Sequence, residues 1–161
     1  MTGLRLRWLL TGPGWAQCFV GDDRSEVELT VSYVTTAPEE LLVGITRLLL
    51  TETEIRVEFH AEPTVVRWDF HREDDQVSVR LLQLSDQDGP DRAGQVIWST
   101  RQDIGTVARA VIRCFDDVVH TYGTSGYRGT WGDEFPGAEL ETLRSAWRAH
   151  ERRTTRGNGH G

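Results

Sequence analysis

The chain has 161 residues, of which 38% are hydrophobic, and its charged residues are spread along its length. That composition suits one globular domain around one core and excludes a disordered chain. No apolar run reaches the roughly 20 residues that span a bilayer, so no membrane role is expected.

All 18 basic residues are Arg, set against 25 Asp and Glu, for a net charge of −7. The charge is uneven. Residues 144–156 carry five Arg and one Glu; the residues before them carry 13 Arg and 24 acids, a balance of −11. Phosphate binding needs clustered positive charge, so an acidic body disfavours nucleic acid. It suits a basic partner.

In chain order, Leu4, Leu6, Trp8 and Leu10 alternate with Arg5, Arg7 and Leu9, a period of two that predicts a strand. The same alternation rules out a signal peptide here, and the cytoplasm is the expected location. A turn at residues 11–14 leads to a second strand from Trp15 to Val20, and a turn at Gly21-Asp22-Asp23 leads to a third. In that third strand Val27, Leu29, Val31 and Tyr33 form the apolar side. Thr36 is placed to cap a helix, with Glu39 three residues on as its capping-box partner, and Leu41, Leu42, Ile45, Leu48 and Leu49 make one apolar stripe.

The middle of the chain carries the sharpest pattern. Pairing Ala61 with Thr64 sets Phe59 against Val66, Val57 against Trp68 and Ile55 against Phe70 on one side. On the other side Glu58 meets Arg67, Arg56 meets Asp69 and Glu54 meets His71. A second turn at Asp74-Asp75 sets Phe70 against Val79, Trp68 against Leu81 and Asp69 against Arg80. A slip of one residue would turn the apolar set outward and lose every charge match. Ser85 to Gly94 reads as a polar loop, and Gln95 to Thr100 as one more strand.

Asp103 is placed to cap a long helix ending near Tyr122, with Gly123 in the C′ position. Residues 122–137, with five Gly among Tyr122, Tyr127, Trp131 and Phe135, read as a loop. A last helix follows Pro136, with Leu140, Leu143 and Trp147 inward. The order is β-β-β-α-β-β-β-β-α-α: a single α+β domain over residues 1–153, with an antiparallel sheet and helices packed on one face. Residues 154–161 are expected to be a disordered tail.

No catalytic set emerges, and neither a cofactor nor a metal site is expected. Cys18 and Cys114 fall on apolar faces and form no CxxC pair. His60-Ala61-Glu62 matches half of a zinc deaminase signature, but the P-C-x-x-C half is missing. His60 and His71 are too far apart along the strands to share a metal. Gly123-Thr124-Ser125-Gly126 lacks the strand and the final Gly of a nucleophile elbow. Arg144, Arg148 and Arg152 make a basic stripe that reads as a solvated face.

The ordered landmarks Gly14-Trp15-Ala16, Ser32-Tyr33, Glu62-Pro63 with Trp68, and Tyr122-Gly123 with Tyr127, Trp131 and Phe135-Pro136 resemble a group of small bacterial proteins of unknown function, largely actinobacterial. The resemblance covers residues 4–147 and implies no activity, cofactor or catalytic residue. In layout alone the chain is similar to immunity proteins of bacterial toxin systems.

Two functional expectations follow. The first is a non-catalytic protein-binding domain, in the form of an immunity-type inhibitor of a basic partner. The second is an enzyme or small-ligand binder built from Tyr122, Tyr127 and Trp131 beside the trio Arg56, Asp69 and Arg80.

Overall fold

A computed structural model of the chain describes residues 3–85, 90 and 93–157. The elements follow the expected order: β1 (Arg5–Gly12), β2 (Trp15–Gly21), β3 (Glu26–Ser32), α1 (Ala37–Leu50), β4 (Glu54–His60), β5 (Val65–Glu73), β6 (Gln76–Leu84), β7 (Gln95–Asp103), α2 (Ile104–Trp131) and α3 (Gly137–Gly157). The fold is α+β, and its strands pair antiparallel throughout.

The strands form two sheets, β1-β2-β3 and β4-β5-β6-β7. One sheet was expected. The chain leaves β3 through α1 and returns as β4, and no ladder joins these two strands. The division lets both apolar faces meet the helices in one core. Trp8 on β1 lies edge-on to Phe59 on β4, with ring centroids 5.9 Å apart. Such edge-to-face contacts suit the quadrupoles of the two rings.

The central register is as the pattern dictates. Val57 pairs with Trp68 and Trp68 with Leu81; Arg56 pairs with Asp69 and Asp69 with Arg80. Val57, Trp68 and Leu81 are buried in the core. The first part of α2 buries Ile104, Val107, Ala108, Val111, Ile112, Phe115 and Val118. Asp103 caps it, its Oδ1 accepting from the Gly105 N–H at 2.8 Å, which satisfies one of the orphan donors of the first turn.

Five local expectations are corrected. Thr36 occupies the N-cap of α1, but its side chain makes no capping bond. Tyr33 lies just past β3 and is exposed; its ring covers Gly14, where a Cβ would collide with Tyr33 Cδ1. Gly123, at φ 71°, does interrupt the helix, as a residue that tolerates positive φ can. The chain, however, resumes as helix at once, so residues 124–131 are helical and not a loop. The last helix runs on to Gly157, so residues 154–157, expected in the tail, are helical; 158–161 lie outside the described residues. The outer face of the second sheet is not wet throughout, since Val65, Arg67, Leu82 and Leu84 are buried there. Most of the expected 85–94 loop lies outside the described residues.

Two ties hold α2 to its neighbours. Tyr122 accepts at its OH from the Leu10 N–H of β1 at 3.0 Å. Arg144 on α3 grips Asp116 on α2 with both terminal nitrogens, at 3.0 and 2.6 Å. The expected solvated stripe therefore has one member committed to packing.

Candidate functional site

The trio Arg56–Asp69–Arg80 assembles as the register requires, because three adjacent strands place it in one row. Asp69 Oδ1 is 3.5 Å from Arg56 Nε, and its Oδ2 is 3.3 Å from an Arg80 terminal nitrogen. Both guanidiniums are about half exposed, while Asp69 is three-quarters covered. His71 Nδ1 lies 3.1 Å from Glu54 Oε1 beside them. These groups line an open hollow of ≈ 580 Å³ with Ile55, Phe70 and Ser78. Chemically, the row is a carboxylate held between two cations in contact with water.

The aromatic half of the expected site lies elsewhere. Tyr127 and Trp131 are buried in the core. Trp131 packs 5.3 Å from Trp8, and Tyr127 packs 5.3 Å from Phe135 at right angles. Tyr122 is partly buried against the core and spends its hydroxyl on β1. No residue of 122–137 lines the hollow beside the trio. The glycines suggested a loop because Gly lowers helix propensity; burial of the interleaved aromatics on one face outweighed that preference.

His60 is half-buried, with Nε2 3.2 Å from Glu58 Oε2. Glu58 also holds Arg67, its Oε1 3.0 Å from a terminal nitrogen. His60 thus joins Glu58 and Arg67 in one polar group on the sheet. Among the described residues no three His, Cys, Asp or Glu side chains converge to hold a metal, and no helix is long and apolar enough to cross a membrane. Cys18 and Cys114 are free and buried. Burial pushes the Cys18 thiol up to about 12 and that of Cys114 well above its usual range, which leaves neither as a thiolate nucleophile.

A second groove escaped the sequence reading. It runs between α1 and the outer edge of β4, about 560 Å³ in volume. Glu39, Glu40, Glu52 and Glu54 line it, with Arg47, Arg56 and the exposed Val43. Burial holds the Glu39 carboxyl above its ordinary range, and the charges of Asp133, Glu139 and Glu40 add to this. The one signal available in the sequence was a pair of acids at each end of the helical segment, Glu39-Glu40 in its first turn and Glu52 with Glu54 just after it.

Comparison of the chain with protein-family models, with curated proteins and with solved structures gave no match. The class is set by the fold alone, an α+β domain of two antiparallel sheets and three helices.

Proposed function

We propose that this protein is a non-catalytic binding domain for a basic partner protein in the cytoplasm, of the immunity-type inhibitor kind. The observation that carries this reading is the balance of −11 over residues 1–143. An acidic surface of that size raises the encounter rate with a basic protein and repels acidic competitors. The acid-lined groove beside α1 supports it as a place where that charge is concentrated around an apolar centre.

The test is capture from a lysate of the native host by the immobilised protein. A basic protein retained at low salt and released as salt rises is the expected result. If no protein is retained at low salt, the reading fails.

The small-ligand reading keeps only the hollow at Arg56, Asp69 and Arg80. Its support is a carboxylate held between two guanidiniums. Its aromatic wall is gone, since Tyr127 and Trp131 belong to the core. A thermal-shift screen with a metabolite library decides it: a ligand that raises Tm keeps the reading, because a bound ligand stabilises by mass action.

A further inference from the structure

We propose that one arginine or lysine side chain of the basic partner seats among Glu39, Asp133 and Glu139, over the buried hydroxyl of Tyr127, with Tyr33 and Val34 as the apolar rim of that seat. The proposal rests on the basic-partner reading and names the surface that holds the partner.

Three helix ends bring the acids together. Glu39 stands in the first turn of α1 and Glu139 in the first turn of α3. Asp133 follows Gly132, the left-handed C-cap of α2. A carboxylate in a first turn is favoured by the helix dipole, which accounts for Glu39 and Glu139 taken singly. It does not account for their crowding. After burial, the charges that raise the Glu39 carboxyl are those of Asp133, Glu139 and Glu40. The carbonyl end of α2 adds negative potential at the same place. Arg128, in the last turn of α2, turns to Glu134 at 3.8 Å.

The floor beneath the acids calls for a donor. Tyr127 is fully buried, and its hydroxyl has no hydrogen-bond partner among the described residues. Glu39 Oε2 is buried and unpartnered as well. The charges of Glu39 and Asp133 both bear on the Tyr127 hydroxyl, adding to the effect of its burial, so the hydroxyl lies beneath these carboxylates. Buried polar groups of this kind are ordinarily satisfied. Ammonium and guanidinium groups carry donors and no acceptor. One such group can therefore serve a carboxylate and the lone pairs of a hydroxyl together, and its charge offsets the repulsion among the acids. Among the described residues no three acids converge closely enough to hold a metal ion. A larger cation on a flexible stem suits this spacing.

The rim supplies apolar contact. Tyr33 and Val34 are each more than half exposed, and Trp15 beside them is 42% exposed. A Cβ on Gly132 would fall 3.9 Å from Tyr33 Cδ2, so the ring lies next to the residue that precedes Asp133. Gly14 N–H donates to the Thr130 carbonyl at 2.8 Å, which pins the β1–β2 turn to the end of α2. Exposed Tyr and Trp beside charges are the usual anchors of protein interfaces, and apolar cover strengthens an ion contact by excluding water.

The probe is a capped tripeptide of arginine between two leucines, titrated into the full chain at low salt and up to millimolar concentration. Its control carries citrulline, which keeps the shape of arginine and removes the charge. Nuclear magnetic resonance reads the Glu39 carboxyl carbon and the Tyr33 ring. The arginine peptide should shift both, and the citrulline peptide neither. Glu39→Gln should weaken binding by about fivefold or more, and Tyr127→Phe by about threefold or more. Both variants relieve an unsatisfied buried group, so thermal melting should show each folded. Glu73→Gln, the same charge change near the far end of α1, should alter binding less than about twofold. Failure of the arginine peptide to bind overturns the proposal. So does equal binding of the citrulline peptide, or binding that Glu39→Gln and Tyr127→Phe leave unchanged. A basic partner captured from lysate would then still stand, held by another surface. If lysate capture fails while the peptide binds as described, the cation seat stands and the basic-partner reading is what fails.

Discussion

Trp68 and Asp69 are consecutive in the chain and stand on opposite faces of one sheet. Trp68 is 1% exposed, packed between Phe59 and Phe70 at ring distances of 5.0 and 6.0 Å. Asp69 lies between two guanidiniums on the outer side, in contact with solvent. Truncation of Trp68 removes a large side chain and leaves a cavity, so Trp68→Ala should cost about 3–5 kcal/mol. Asp69→Ala should cost about 1 kcal/mol or less, since solvated ion pairs contribute little. Urea denaturation of both variants checks this; a larger loss from Asp69→Ala would refute the assignment of the two faces.

Gly44 lets α1 approach β4. A Cβ there would fall 2.8 Å from Ile55 Cγ2 and 3.3 Å from Val57 Cγ2. Alanine at this position gains about 1 kcal/mol of helix propensity, but the overlap costs about 1–3 kcal/mol. Gly44→Ala should therefore be neutral to destabilising, by up to about 2 kcal/mol. In the Ile55→Ala background the closest clash is gone, and the same substitution should stabilise. Chemical denaturation of the four proteins in the cycle gives the coupling.

Arg144 and Asp116 join α3 to α2 through two parallel hydrogen bonds. Asp116 raises the Arg144 pKa, first through the hydrogen bond and then through its charge. A double-mutant cycle on Arg144→Ala and Asp116→Ala should return a coupling of about 1 kcal/mol. Arg144→Lys should lose most of it, because an ammonium cannot make the paired contact. Coupling that survives in Arg144→Lys would show charge alone to be responsible.

Glu39 is partly buried, and burial, ahead of the charges of Asp133, Glu139 and Glu40, raises its pKa above 4.5. A carboxyl whose folded pKa exceeds its unfolded value contributes stability that is fully present below the unfolded value. That contribution is lost as pH rises through the folded value. Glu39→Gln removes the loss. The variant should melt higher than the parent at about pH 7 and near the parent at about pH 4, where both carry a neutral side chain. Thermal denaturation at the two pH values tests the sign.

Cys18 and Cys114 should resist a thiol reagent in the native protein, since burial disfavours the thiolate of each. Both should react quickly in denaturant. Native labelling at the rate of the unfolded chain would place them outside the core.

Short-range pattern determined much of this protein. The period of two across Ile55–Phe59, Val66–Phe70 and Val79–Leu81 admits one register, because the apolar row and the charged row must be satisfied together. The trio Arg56–Asp69–Arg80 follows from that register alone. Tertiary structure decided what each row then faces. Whether seven strands make one sheet or two depends on how the sheets and helices share a core, which no local period records. Residues 124–131 looked like a loop from their glycines, yet Tyr127 and Trp131 fall on one helical face and are buried beside Trp8 and Phe135. Arg144 looked solvated because its partner, Asp116, is 28 residues away in the chain. The groove between α1 and β4 has the same origin: its acids come from both ends of a helix and the start of a strand, and only packing against the close surface at Gly44 brings them into one groove.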